Sequence, residues 1–418
     1  MDCDVNNYYL MFEVRDTVRN LLVKKTLNLT VGTAYSTGWF VLEDDGANTD
    51  LDVVMPDGKT TENLMVTYGS GRMEGKAKKM VFKDRHPQEV ENVDGTVKKE
   101  YKKAFSVISE KDMRVYDAQN MSVLKYRNDC FYEMPTPLNP LNIATESVSD
   151  EVNIGGKFYL MSTGNIGKFG YPLMGADGTE NYDIFKEGIL YSQHCYLWDN
   201  VSKSFVYAYT GNSGLTLLNE AGDGEANYGP VSNTGCEMKL FRFRQYTYVS
   251  KVATWTAYAL WLNGDGKYEI LDLSFVSTNY PIENKYSLPA GSGLPDVEIM
   301  EVHKTETKIF FGKENQLCEH NVSARTDLES RERVVYTFPA GEEIACIRHL
   351  VVDTKNAKEK MNRLVVLTNG VNGWRLYGFE FINGGGEFDM TVLPENALIG
   401  QGEGNARYVM RMDNNVAY

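Results

Sequence analysis

GWFVLEDDGANTDLDVVMP, residues 38–56, decides how this chain is read: two apolar runs flank a turn rich in Asp, Asn and Gly. Six later stretches repeat that plan. They are AFSVISEKDMRVYDA from Ala104, KFYLMSTGNIGKFGYPL from Lys157, HCYLWDNVSKSFVYAYT from His194, AYALWLNGDGKYEILDLSF from Ala257, TKIFFGKENQLCEHNV from Thr307 and NRLVVLTNGVNGWRLYGFEF from Asn362. Their starts lie about 54 residues apart on average, a period in the range of propeller blades.

The strands at 39–42, 206–209 and 364–367 are apolar almost throughout rather than alternating, so each needs cover on both faces. Helices of a parallel α/β fold are one source of such cover. They would need ten or more residues of helical periodicity between strands, and the sequence has almost none. It offers turn chemistry instead, at Pro56-Asp57-Gly58, Asp177-Gly178, Asn263-Gly264-Asp265-Gly266 and Asn383-Gly384. The remaining cover is other sheets packed radially, so the fold expected is all-β, a seven-bladed β-propeller over residues 34–418. Its last strand, near Tyr408 to Met412, is expected to pair with the first blade and remove the open edge, with another closing strand near Thr391.

Residues 1–33 read as a separate piece. Phe12 and Val14 alternate with Glu13 and Arg15, and Leu27, Leu29 and Val31 with Thr26, Asn28 and Thr30, which gives two half-buried strands around Asp16-Thr17. A rival reading has these strands complete a blade and close the ring.

Composition suits a β-rich body: of 418 residues, 42% are hydrophobic and 12% aromatic. The net charge of −14 and the lack of a Lys/Arg stripe argue against nucleic acid and anionic membrane surfaces. Six cysteines show no zinc spacing, and Cys195 and Cys346 lie in apolar strands as small hydrophobes. The acidic turn 43–50 has enough oxygens for calcium but the wrong order for an EF-hand loop, so it reads as a solvated turn and no metal is assigned. The charged, Pro-interrupted segment 76–103 reads as an excursion between outer strands of a first blade spanning 38–110.

Chemistry-bearing motifs are few. The five histidines have no metal-ligand spacing, His194 and His349 read as structural, and no nucleophile elbow or cofactor motif is present. The chain is therefore expected to be non-catalytic and to need no cofactor. The insertion at 211–236 is long enough to be functional. Tyr228 within it, Trp255 ahead of the fifth hairpin and Trp374 after the last turn are the candidate ligand-binding residues, because a ring face matches the apolar face of a sugar. Trp198 and Trp261 read as core.

GWFVLEDDG at 38–46, MEGKAKKM at 73–80, VISEKDMRVYD at 107–117, VNIGGKFY at 152–159, YLWDNVSKSFVYAY at 196–209, FPAGEEIACI at 338–347 and RLVVLTNGVNGWRLYGFEF at 363–381 form an ordered series over most of the chain. That series resembles the C-terminal region of the PKD-like family lipoproteins, found beside outer-membrane glycan-uptake systems of Gram-negative glycan degraders. YLMFEVRDTVRNLLVKKTLNLTV at 9–31 likewise resembles the last hairpin of a PKD-type, Ig-like domain. The resemblance implies an exported, lipid-anchored accessory protein on the periplasmic or cell-surface side of the outer membrane. Its partner would be a polysaccharide or the uptake complex, and the alternatives are a purely structural interaction propeller or a propeller glycosidase or lyase. The chain departs from the family in lacking a secretion signal, a lipid-bearing cysteine and most of an Ig-like domain, so its N-terminus is expected to follow a missing segment. The family supplies no catalytic residues to carry over.

Overall fold

Phe40 and Leu42 point to one side of their strand and Trp39 and Val41 to the other, and all four are buried, the two sets in different apolar clusters. The computed structural model describes residues 6–31, 37–92, 94–146, 149–162, 166–191, 193–220, 228–323, 328–352, 361–382, 387–388, 397–413 and 416–417. It shows why one strand needs two coats. Seven antiparallel sheets follow one another along the chain, and each buries both faces against its neighbours.

Blade 1 contains Gly38–Asp44, Asn48–Val54 and Thr60–Thr61. Its innermost strand, Asn405–Asp413, comes from the far end of the chain, with Met412 opposite Gly38 and Asn405 opposite Asp44. This is the expected seal of the ring. Blade 2 runs from Ala77–Glu91 outward to Val123–Lys125, blade 3 from Pro140–Thr145 to Lys157–Ser162, and blade 4 from Ile189–Tyr191 to Thr216–Leu217. Blade 5 runs from Glu237–Val249 to Ile282–Ser287, blade 6 from Met300–Val302 to Glu332–Thr337, and blade 7 from Glu343–Val352 to Leu398–Gly402. Blade 3 has three described strands and the others at least four.

An apolar cluster fills every seam between consecutive blades. Phe40 and Leu42 meet Phe105 and Tyr116 between blades 1 and 2; Ile108 meets Val152 between 2 and 3; Phe158 meets Leu197 between 3 and 4. Trp198 meets Trp261 between blades 4 and 5, Tyr258 meets Phe311 between 5 and 6, and Phe310 meets Leu364 between 6 and 7. The last seam sets Val365 and Trp374 of blade 7 against Trp39 and Val409 of blade 1. Each such side chain gains about 1.5–3 kcal/mol on leaving water. Trp198 and Trp261 are core, as expected.

Some local expectations fail for physical reasons. The third hairpin does not begin at Lys157: Ser149–Ile154 pairs with Lys157–Ser162, and Gly155-Gly156 is the turn between them. Both have positive φ, +55° and +84°, as a two-residue loop matched to strand twist requires. A Cβ at Gly156 would also sit 1.9 Å from an Asp183 carboxylate oxygen. Gly156→Ala is therefore expected to cost about 1–3 kcal/mol, read as a lower denaturant midpoint.

Segment 76–103 is not an outer excursion. It belongs to blade 2, whose two innermost strands, Ala77–Glu91 and Val97–Ser109, extend together as one long ribbon with a register shift between Lys83 and His86. Pro87 fits because Ala77–Glu91 is an edge strand, where a missing N–H breaks no ladder. The acidic turn is not simply solvated either. Asp44 and Asp50 are buried, Asp44 accepting from Gly46 N at 2.9 Å and from the Arg407 guanidinium at 2.8 Å, and Asp50 from Met65 N at 2.9 Å.

The strands Asn6–Asp16 and Leu21–Val31 pair only with each other among the described residues, so they do not complete a blade. A two-stranded ribbon is not in itself the mark of an Ig-like domain. Their side chains are not half-buried: Leu10, Phe12, Val14, Leu21, Val23 and Leu27 are exposed. The strand expected near Thr391, the turn at Asn383-Gly384 and Cys3 lie outside the described residues. The other five cysteines are buried free thiols.

Candidate functional site: the axial channel

Except where Val416–Ala417 pairs with the end of Asn405–Asp413 in blade 1, the innermost strand of each sheet is an edge, and the seven inner edges face a common axis. Around it lies a cavity of about 420 Å³ to which every blade contributes. Its wall is cationic. Blade 1 supplies Arg407, blade 2 Lys78 and Lys79, the approach to blade 4 Lys186, blade 5 Arg242, blade 6 Lys304 and blade 7 Arg348. Against these stand Glu187, Glu298 and Glu301 in the wall, with Asp44 2.8 Å from the Arg407 guanidinium and Glu110 3.8 Å from Lys78 Nζ behind it.

Two of the wall acids are already engaged. Glu187 lies 2.9 Å from the Arg242 guanidinium, and Glu301 lies 3.3 Å from Lys304 Nζ, which also donates to the Phe243 carbonyl at 3.0 Å. Lys79 donates to the neutral side-chain oxygen of Asn142 at 2.8 Å. Arg348 donates to the Val409 carbonyl at 2.7 Å and lies 4.9 Å over the Tyr408 ring. Burial, with Arg242 and Arg348 adding to it, pushes the Lys79 ammonium down to about 8. Burial works against ionisation of Glu301, yet Lys304, Arg242 and Arg348 hold its carboxyl below the usual range. The channel is thus a concavity rich in hydrogen-bond donors, most of whose cations are ion-paired, suited to hold a polar ligand.

The aromatic residues expected to bind ligand are not brought together. Trp255 lies inside the strand Val252–Leu262, 5% exposed, packed among Tyr191, His194, Tyr196 and Tyr246. Trp374 is 0% exposed and donates its indole N–H to Asp52 at 3.0 Å. A stacking platform needs an open ring face, and neither has one. Tyr228 is half-buried at a separate surface cavity of about 200 Å³, beside Trp261 and Lys285.

His349 is structural in the sense expected, its Nδ1 accepting from Lys304 N at 2.9 Å and its Nε2 2.6 Å from the Asn362 side chain. His194 is half-buried, 2.9 Å from the Tyr207 hydroxyl. Among the described residues no group of three or more His, Cys, Asp or Glu is arranged to hold a metal ion, and no helix is long and apolar enough to cross a membrane.

The channel cations escaped the sequence reading because they are spread over more than 300 residues, roughly one per blade. The available signal was a basic residue on or beside most first strands, as in FRFR at 241–244 and CIRH at 346–349. It has meaning only once those strands are known to be innermost.

Fold and site together define a seven-bladed β-propeller with a cation-lined axial channel. No family model matches the chain, and no curated protein does. Solved structures similar to it include Hsv2p of Kluyveromyces lactis, with a TM-score of 0.41 and 8% identity over 86% of this chain and 94% of that one. Another is YCF48 of Cyanidioschyzon merolae, with a TM-score of 0.40 and 10% identity over 81% and 95%. A chain of the S. cerevisiae assembly of Dbp5 with Nup159 and Gle1 has a TM-score of 0.40 and 8% identity over 92% and 95%.

Proposed function

We propose that this chain is a non-catalytic accessory propeller of a glycan-uptake system, exported to the periplasmic or cell-surface side of the outer membrane, which binds a carbohydrate or docks on the transporter complex. The observation that carries the binding role is the axial channel, a ligand-sized concavity lined by hydrogen-bond donors from all around the ring. The glycan and the location are supported by the ordered series of family marks between 38 and 381. Binding of the purified chain to a panel of neutral and acidic polysaccharides, and to the neighbouring transporter, tests it. At least one interaction is expected; silence across the whole panel rejects the role, and release of reducing sugar rejects its non-catalytic part.

A structural interaction propeller is the second reading, favoured by the exposed apolar side chains of the ribbon at 6–31. Removing residues 1–33 separates the two. Loss of transporter binding with carbohydrate binding intact would assign docking to the ribbon and binding to the propeller.

A further inference from the structure

Trp261 and Glu269 stand directly opposite each other on neighbouring strands of blade 5, Val252–Leu262 and Tyr268–Phe275. Lys285, on the outermost strand, lies opposite Leu271 and so one diagonal step from Glu269 on the same face. The register therefore gathers all three at the seam with blade 4. The Trp261 indole N–H donates to Glu269 Oε2 at 2.9 Å, and Lys285 Nζ lies 3.7 Å from that oxygen and 5.5 Å from the Trp261 ring centroid. Two loops close over them. The turn at 263–267 is held by Asn263 Oδ1, which accepts from Asp265 N and Lys267 N at 3.0 Å each. The segment entering at Tyr228 is tied down where the Tyr280 hydroxyl donates to the Gly229 carbonyl at 2.7 Å, and Tyr228 packs against the cluster that holds Trp261. Between the loops lies the separate cavity of about 200 Å³.

The polar groups of this cavity are not used up by one another. Glu269 is engaged through Oε2 alone, which leaves Oε1 as an open acceptor, and the Asp265 carboxylate makes no hydrogen bond or ion pair among the described residues. Lys285 has three donors and one long ion pair. We propose that this cavity is a subsite for one neutral sugar ring of a glycan, with Tyr228 against the apolar face of the pyranose and Glu269, Asp265 and Lys285 taking its hydroxyls. The sugar rests on the glycan-handling role proposed above; the pocket rests on its own geometry. Neighbouring hydroxyls both donate and accept, which two carboxylates and an ammonium match, and the ring C–H groups suit an aromatic face. Charge selects a neutral ring: with two carboxylates facing one ammonium, a uronate or sulfated sugar would add an unmatched negative charge. The cavity admits one ring of about twelve non-hydrogen atoms, so a single sugar is expected to bind with a dissociation constant on the order of millimolar.

NMR titration of the full chain with the methyl pyranosides of glucose, galactose and mannose, with glucuronate, with the acyclic polyol glucitol and with the polysaccharide panel tests this. At least one neutral pyranoside or neutral polysaccharide is expected to bind, and glucuronate and glucitol at least about fivefold more weakly than the best pyranoside. Tyr228→Ala should weaken the bound saccharide by about tenfold or more, and Tyr228→Phe, which keeps the ring, by less than about twofold. Asp265→Asn, in an exposed turn whose backbone hydrogen bonds it leaves intact, should weaken it by about threefold to tenfold. Melting temperatures confirm that each variant folds. A saccharide that binds folded Tyr228→Ala and Asp265→Asn as it binds the parent overturns the subsite and leaves the glycan role standing. So does binding confined to acidic polymers, or glucuronate or glucitol binding as tightly as the pyranoside. Silence from every saccharide, polymers included, overturns both.

Discussion

Ending the chain after Gly404 is expected to abolish the folded state. The deletion removes Asn405–Asp413, the innermost strand of blade 1, and with it the hydrogen-bonded pairing to Gly38–Asp44. Ala406, Val409, Met410 and Met412 are buried on the two sides of that strand, two of them in the seam with blade 2 and two in the seam with blade 7. Their transfer to water alone costs on the order of 5–8 kcal/mol, comparable with the whole stability of a typical domain. Asp44 loses its Arg407 partner and is left as a buried carboxylate. Gly38–Asp44 would become an exposed apolar edge, a template for aggregation. Expression in inclusion bodies, or a soluble product without a cooperative melt, is the expected result. A truncated chain that melts cooperatively at the parent temperature would show that ring closure is not what holds the blades together.

Legibility followed from how many neighbours a residue's role involves. The run WFVL at 39–42 reported its double burial by composition alone, and six of the seven repeated stretches are hairpins of the structure because a turn and its flanking strands are local. The third was misplaced by one strand. Gly155-Gly156 signals a turn, but whether the turn joins 149–154 to 157–162 or opens the next strand depends on pairing partners. Trp255 and Trp374 misled for the same reason in reverse: a tryptophan beside a turn has the same local sequence whether its ring faces solvent or an adjacent blade. The channel lay further out of reach, since Lys79, Arg242 and Arg348 meet only because seven blades close around an axis.

Stability is expected to fall as pH rises from about 6.5 to 8, and Glu43→Gln should remove much of that fall. Glu43 is 3% exposed in the first strand of blade 1. Burial first, then Asp52, Asp50 and Asp44, raise its carboxyl from 4.5 to about 8, with Arg72 opposing. The folded protein therefore holds this proton more tightly than the unfolded chain does. Its contribution is full below the unfolded value near 4.5 and is lost as pH rises through the folded value near 8. Asp52, raised to about 7 mainly by burial, slopes the same way. His86, His303 and His349 are held down at about 3 to 4 by burial, so their contribution grows with pH only up to the normal imidazole value and is complete by about 6.5. Lys79, at about 8, begins to add stability again only above that pH. The interval from 6.5 to 8 is thus where the carboxyls dominate. Asp52 is the poorer target, because it accepts from Trp374 Nε1 and from Asn63 N and its replacement would disturb both bonds. Glu43→Gln removes the ionisation at nearly constant shape and should stabilise the protein by about 2–4 kcal/mol at pH 8.5, less than the full shift implies because neighbours relax. Near pH 5, where the parent is already protonated, the two proteins should melt alike. Melting curves of both at pH 5, 6.5 and 8.5 decide it: if the variant is destabilised equally at all three, Glu43 is held as a partnered carboxylate and the acidic cluster beneath the 43–50 turn stores no proton.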